Sequence, residues 1–334
     1  MPSTHSQLDL PDAPMARDSR EAGHPTLACP RCRRSLIPPG TVAVKCDTCD
    51  FIICCQDGIW RALPAERARH FQNFVEEYET VRQAEGRGSA DSSYYLALPY
   101  RDTSGKLSKQ WRIRSRSYRA LEHLLLKEIE SRRSPGGLDL LDVGAGNGWL
   151  SYRVALRGYR PVAVDLLVND RDGLGAARHF LAALPHSFPR FQAEMDRLPF
   201  ADAQFDIVLF NASLHYSVDY PRTLNEALRC LRSGGDLLIL DSPVYRREES
   251  GLVMRNECHQ RFARLYGFRS DTIPSREFLT FDLLNELGRE LRLTWRVVRP
   301  WYGLSWALRP LKSKLLRKRE PSQFLILWGK RKSH

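Results

Sequence analysis

Apolar and polar positions divide this chain into two kinds of segment. Leu138-Asp-Leu-Leu-Asp-Val143, Arg160-Pro-Val-Ala-Val-Asp165, Phe205-Asp-Ile-Val-Leu-Phe-Asn211 and Leu237-Leu-Ile-Leu-Asp241 are short apolar runs. Such runs, bounded by turn residues, predict strands buried on both faces. Other stretches carry helical spacing: Phe71, Phe74, Val75 and Tyr78 within residues 65–90, Leu121, Leu124, Leu125 and Ile129 within Tyr118–Arg132, and the segment Phe278–Leu291. Each predicts a helix with one buried face. Leu293–Val298 and Gln323–Trp328 predict two final strands. Between them, Leu304, Leu308, Leu311 and Leu315 recur at helical spacing with basic residues interspersed, predicting an amphipathic helix within 301–320.

The first strand runs directly into a turn with Gly144, Gly146 and Gly148 at every second position, after which a helical pattern starts. Glycine is needed where the backbone takes positive φ and where a ligand lies against bare main chain. A dinucleotide turn has the spacing Gly-x-Gly-x-x-Gly, and here the third glycine comes one residue early. Asp142 stands just before the turn, where it would repel a pyrophosphate and suit a cation. Asp165 ends the next strand about 20 residues on, the place where an acid grips a ribose diol.

The stretch Asp142-Val-Gly-Ala-Gly-Asn-Gly148 resembles the first motif of the class I S-adenosylmethionine-dependent methyltransferases, Asp-x-Gly-x-Gly-x-Gly. Three further segments resemble that family in order: Gln192–Phe200 its acidic loop, Asn211-Ala-Ser-Leu-His-Tyr216 the Leu-His-His segment of the quinone-biosynthesis type, and Leu228–Asp241 the helix, Gly-Gly and fifth strand. The resemblance implies an α/β fold with a doubly wound, seven-stranded, mostly parallel sheet closed by an antiparallel hairpin. It implies S-adenosylmethionine as donor, bound by Asp142, Gly144, Ala145, Gly146, Asp165, Leu166, Glu194, Met195 and Asn211. Glu194 stands where an acid accepts from the adenine amino group, and Met195 where the ring is covered. His215 is the candidate general base and Tyr216 a candidate wall of the acceptor pocket. Gly234 and Gly235 suit a helix cap. Tyr94, Tyr95 and Tyr100 fall where relatives carry a lid, and one of Arg112, Arg114 and Arg116 suits the methionine carboxylate. Asp241 either orients the acceptor or starts a loop.

Cys29-Pro-Arg-Cys32 and Cys46-Asp-Thr-Cys49 are two Cys-x-x-Cys pairs at zinc-ribbon spacing. Four thiolates favour zinc and leave no open position, so a structural ion held by Cys29, Cys32, Cys46 and Cys49 is expected. Cys54 and Cys55 are either competing ligands or strand residues, with a turn at Asp57-Gly58. Cys230 and Cys258 suit apolar burial.

Charge and composition add boundaries. Residues 1–25 read as a disordered tail, 26–64 as the ribbon, 65–135 as a helical lid and linker, and 136–334 as the transferase domain with a basic insertion at 301–320. No run of apolar residues reaches membrane-spanning length, and the first residues lack the charged start and apolar core of a secretory signal. A cytoplasmic protein, in part peripheral at a membrane, is expected. The net charge is +12, and from Arg309 onward nine basic side chains face the single acid Glu320. Such fields attract anionic partners. The expected acceptor is a small molecule or lipid-linked metabolite. Two alternatives stand beside it: an RNA base methyltransferase, favoured by the ribbon and the charge, and a zinc-containing binding module with an inactive transferase domain. Against RNA, the exit from the fourth strand lacks Asn-Pro-Pro-Tyr. The basic insertion lies on an anionic membrane surface, binds RNA phosphates, or packs over the pocket with its bases in water.

Overall fold

The computed structural model describes residues 25–36, 42–132 and 137–332; nearly all of the tail expected at 1–25 lies outside them. The elements in chain order are strands β1 (Ala43–Lys45), β2 (Ile52–Gln56) and β3 (Ile59–Arg61), then helices α1 (Ala65–Ala84), α2 (Ser92–Ala97) and α3 (Ser108–Ala120). A π-helical turn (Leu121–Leu126) joins α3 to α4 (Lys127–Ser131). There follow β4 (Asp139–Val143), α5 (Trp149–Ala155), β5 (Arg160–Asp165), α6 (Arg178–Leu181), β6 (Arg190–Gln192), β7 (Phe205–Asn211), α7 (Tyr220–Cys230) and β8 (Leu231–Tyr245). The chain ends with α8 (Glu248–Tyr266), β9 (Leu279–Thr280), α9 (Phe281–Glu290), β10 (Leu293–Val298), α10 (Leu304–Ala307), α11 (Arg309–Leu315) and β11 (Gln323–Arg331).

The strand order is β1-β2-β3-β6-β5-β4-β7-β8-β11-β10, with the short β9 added on β8. Its central part, β6 to β10, is the expected seven-stranded, doubly wound α/β sheet. From β6 through β8 the strands are parallel, and β11 and β10 close the edge antiparallel. The apolar runs of β4 and β7 are buried because helices cover both faces of the sheet; Leu141, Val143, Val208 and Phe210 pack on one side, Leu140, Ile207 and Leu209 on the other. The sheet continues past β6 into the ribbon. Trp60 and Arg61 of β3 pair in parallel with Phe191 and Gln192. Asp57 and Gly58 both take positive φ, the requirement of a tight hairpin between β2 and β3. Cys54 and Cys55 are strand residues of that hairpin.

Three local expectations are corrected. Gly234 and Gly235 do not cap α7: the helix stops at Cys230 because Leu231 already pairs with Phe205, and Gly234 instead turns the chain with φ +69°. The helix expected from Tyr118 starts at Ser108, where the Asp102 carboxylate accepts from the Leu107 amide at 2.7 Å. The amphipathic helix within 301–320 is two short helices meeting at Leu308, with Pro310 in the first turn of the second.

Candidate functional site

The site lies at the carboxyl edge of the parallel strands, where open α/β sheets leave a crevice. Its floor is the turn after β4. Gly144 takes φ +75°, and the amides of Gly144 and Ala145 donate to the Val164 carbonyl at 2.8 and 3.0 Å. A Cβ at Gly144 would stand 2.2 Å from the Ser213 Cβ. Ser213 cannot yield easily, since its hydroxyl donates to the Val143 carbonyl at 2.6 Å. The absence of a side chain here is thus a steric demand, and it leaves bare backbone facing the crevice.

A cavity of about 380 Å³ opens over this turn. It is lined by Gly144, Ala145 and Gly146, by Asp165 and Leu166 from the end of β5, by Glu194 and Met195 after β6, and by Asn211 and Tyr216 after β7. One Asp165 oxygen accepts from the Gly146 amide at 2.7 Å and the other from the Leu167 amide at 2.8 Å. Burial pushes its carboxyl up and these two bonds oppose the rise. Each oxygen keeps a further lone pair for a ligand hydroxyl. The Asn211 Oδ1 is buried without a hydrogen-bond partner on the cavity wall. An orphaned acceptor beside a carboxylate and a bare glycine turn fits an adenosyl group carrying an ammonium, so the residues suit S-adenosylmethionine.

Two residues expected here do not line the cavity. Asp142 lies wholly buried behind the turn; one oxygen accepts from the Ser151 hydroxyl at 2.8 Å and the other has no partner. Burial pushes its carboxyl up to about 7. His215 turns its Nδ1 to the Ser242 hydroxyl, 3.2 Å away, and packs its ring on Tyr216. Burial, with Arg82 and Arg114 nearby, drives its imidazole down to about 3, so it stays neutral.

The opposite wall is α1. Arg67, Phe71, Phe74, Tyr78 and Arg82 line the cavity from one stripe of this helix. Their spacing of four, three, four and four is the available signal, but spacing alone does not tell which surface a helix face meets. Phe74 and Tyr78 set their rings against Tyr216 at 6.0 and 5.7 Å, and Ile273 completes an apolar cluster with Phe71 and Phe74. Arg67 closes on Glu194 with three hydrogen bonds of 2.6–3.0 Å. Burial raises the Glu194 carboxyl against the pull of that guanidinium. Arg82 lies over the Tyr78 ring and pairs with Asp172 at 3.4 Å. Of Arg112, Arg114 and Arg116 only Arg114 lines the cavity; it lies against the Trp111 ring, and burial lowers its guanidinium.

The lid tyrosines serve otherwise. Tyr94 and Tyr95 are core residues, and Tyr100 is partly exposed away from the cavity. The Tyr95 hydroxyl donates to the Arg171 carbonyl at 2.8 Å. Asp241 takes φ +52° and accepts from the Ser117 hydroxyl, again off the cavity wall.

The sulfurs of Cys29, Cys32, Cys46 and Cys49 gather within 4.8 Å of one another. Cys29–Cys49 and Cys32–Cys46 contacts are each 3.5 Å. From this ribbon Arg31 holds Glu66 at the start of α1 through bonds of 3.1 and 2.8 Å, and Arg33 holds Glu226 of α7. The ribbon therefore touches the start of the helix that walls the cavity through one exposed ion pair.

Residues 141–239 match the family model described as a methyltransferase domain. A ubiquinone/menaquinone biosynthesis C-methyltransferase of Rhizobium etli is 27% identical over 177 residues, covering 47% of this chain and 68% of that protein. A malonyl-[acyl-carrier protein] O-methyltransferase of Erwinia pyrifoliae is 34% identical over 113 residues, 33% of this chain and 39% of that one. In fold, the crystal structure of geranyl diphosphate C-methyltransferase from Streptomyces coelicolor A3(2) matches with a TM-score of 0.50 at 14% identity, over 80% of this chain and 100% of that chain. With the sheet order, the glycine turn and the acid-lined crevice above, these likenesses identify residues 141–239 as a methyltransferase domain with the fold of the class I S-adenosylmethionine-dependent enzymes.

Proposed function

We propose that this enzyme methylates a small-molecule or lipid-linked acceptor held between the glycine turn and the inner face of α1. The observation that carries the reading is the aromatic wall of Phe71, Phe74, Tyr78 and Tyr216, which faces the donor turn across one cavity. Flat apolar faces on a rigid helix suit an organic ring or an apolar chain. The relative named for ubiquinone/menaquinone biosynthesis agrees with this class.

When bound, S-adenosylmethionine supplies an electrophilic methyl group on a sulfonium. Asp165 would hold the ribose hydroxyls through short charge-assisted bonds. Glu194 and Met195 would meet the adenine, Asn211 would accept from the ammonium, and Arg114 would take the carboxylate. Tyr216, Tyr78 and Phe74 would orient the acceptor and exclude water, and such positioning supplies about 7–11 kcal/mol of a barrier. His215, neutral and turned to Ser242, would set the Tyr216 ring and abstract no proton. The four cysteines would hold one structural zinc, which would fix the ribbon and through Arg31 the start of α1.

The test is incubation of the enzyme with methyl-labelled donor and fractionated lysate. Label is expected in the lipid or small-metabolite fraction. Label confined to RNA, or absent from every fraction, would overturn the acceptor assignment.

A further inference from the structure

The insertion between β10 and β11 is built inside out. Tyr302 is buried, Trp306 stacks on Phe324, and Arg309 lies half-buried with its guanidinium 3.8 Å from the Trp306 ring. Ser313 and Arg319 also turn inward, Arg319 binding Glu257 at 2.8 Å. The leucines point the other way. Leu304, Leu308, Leu311, Leu315 and Leu316 are 52–75% exposed, and Trp301 is 65% exposed. A surface helix normally turns such a stripe to the core, so this one presents its apolar face outward. A contiguous exposed apolar stripe marks an interaction surface.

Charge identifies the partner. Lys312, Lys314, Arg317 and Lys318 are exposed around the leucines, and residues 301–319 contain no acid. None of these four forms an ion pair among the described residues. Leucines flanked by bases and a tryptophan are the composition of a helix lying in the plane of a bilayer interface. Among the described residues no helix is long and apolar enough to cross a membrane, so contact here is with a surface.

Position relates the stripe to the active site. Val244 pairs with Gln323 and Val298 with Ile326, so residues 299–322 leave the sheet at the same carboxyl edge as the cavity. The Tyr302 hydroxyl meets the Ser117 hydroxyl of α3 at 2.8 Å, one turn from the cavity-lining Arg114.

We propose that residues 301–318 seat the enzyme on an anionic phospholipid surface, with the leucines and Trp301 among the acyl chains and the bases on the headgroups. Binding of this kind needs no donor or acceptor and so stands apart from the acceptor reading.

The test is flotation of the full chain with vesicles of phosphatidylcholine alone or with phosphatidylglycerol. Binding is expected only with the anionic lipid, and it should weaken at 1 M salt, where the screening length falls to about 3 Å. Leu304→Ser, Leu308→Ser, Leu311→Ser and Leu315→Ser together should lower the partition coefficient about a hundredfold or more. Lys312→Glu, Lys314→Glu, Arg317→Glu and Lys318→Glu together should abolish the anionic preference. Both variants alter exposed side chains, and their melting temperature and their binding of S-adenosylhomocysteine should match the wild type. Absence of vesicle binding overturns the proposal. So do vesicle binding that survives the serine variant, binding confined to a polyuridine oligomer, and self-association that the serine variant removes while vesicles are ignored.

Discussion

The contact between Arg67 and Glu194 offers the sharpest energetic test, because it joins the α1 wall to the acid expected at the adenine. Glu194 is 2% exposed and Arg67 is 25% exposed. Arg67→Met removes the guanidinium that lies over Phe71 and leaves the buried carboxyl with only a longer, 3.6 Å contact to Arg197. Removing one partner of a buried ion pair costs about 3–5 kcal/mol. Partial exposure of Arg67 and proton uptake by Glu194 lower this to about 2–3 kcal/mol at pH 8. With roughly 2–4 °C lost per kcal/mol in a domain of this size, the melting temperature should fall by about 4–12 °C. The pH dependence has a definite sign. Burial already raises the Glu194 carboxyl in the folded chain, and removing the opposing Arg67 raises it further. The folded variant then holds a proton that the unfolded chain releases, so stability is greatest below the unfolded value of about 4.3 and is lost as pH rises through the folded value. Thermal melts should therefore show the gap from wild type widest at pH 8 and narrowing toward pH 5. The double variant Arg67→Met with Glu194→Gln removes the poorly compensated buried charge and should be more stable at pH 8 than Arg67→Met alone. A gap that stays constant from pH 5 to pH 8, or a double variant at least as unstable as the single one, would refute the reasoning.

Other expectations follow from neighbouring contacts. Asp165→Ala removes the charge-assisted acceptor for ribose and strands the Gly146 and Leu167 amides; calorimetry should show S-adenosylhomocysteine bound about tenfold to a hundredfold more weakly, and an unchanged affinity would contradict the assignment. Gly144→Ala forces a Cβ to 2.2 Å from Ser213, so soluble yield or donor-product binding should collapse; normal binding would show that the turn has room. Purified protein should carry one zinc per chain by elemental analysis, Cys46→Ser should lose it, and a chelator should lower the melting temperature; a metal-free protein with an unchanged melt would remove the ion from the account. His215→Gln should leave the acid limb of the kcat–pH profile in place, because the imidazole is already neutral throughout the assay range; loss of that limb would restore His215 as a base.

What the chain determines by itself is local. The Gly144 turn, the buried strands around it and the Asp57-Gly58 hairpin were legible because each answers a demand of a few residues: a positive φ, a missing Cβ, a run too apolar to face water. The cysteine spacing was legible for the same reason. The tertiary structure alone decided which faces meet. Arg67 finds Glu194 across 127 residues of sequence, β3 extends the sheet beside β6, and His215 turns from the crevice while Tyr216 enters it. It also decided that the 304–315 leucines face outward, a pattern whose spacing reads the same for a buried stripe and an exposed one. Periodicity specifies that a helix has two faces; which one is covered depends on the surfaces that distant segments bring to it, and here a half-buried Arg309 against Trp306 occupies the inward side.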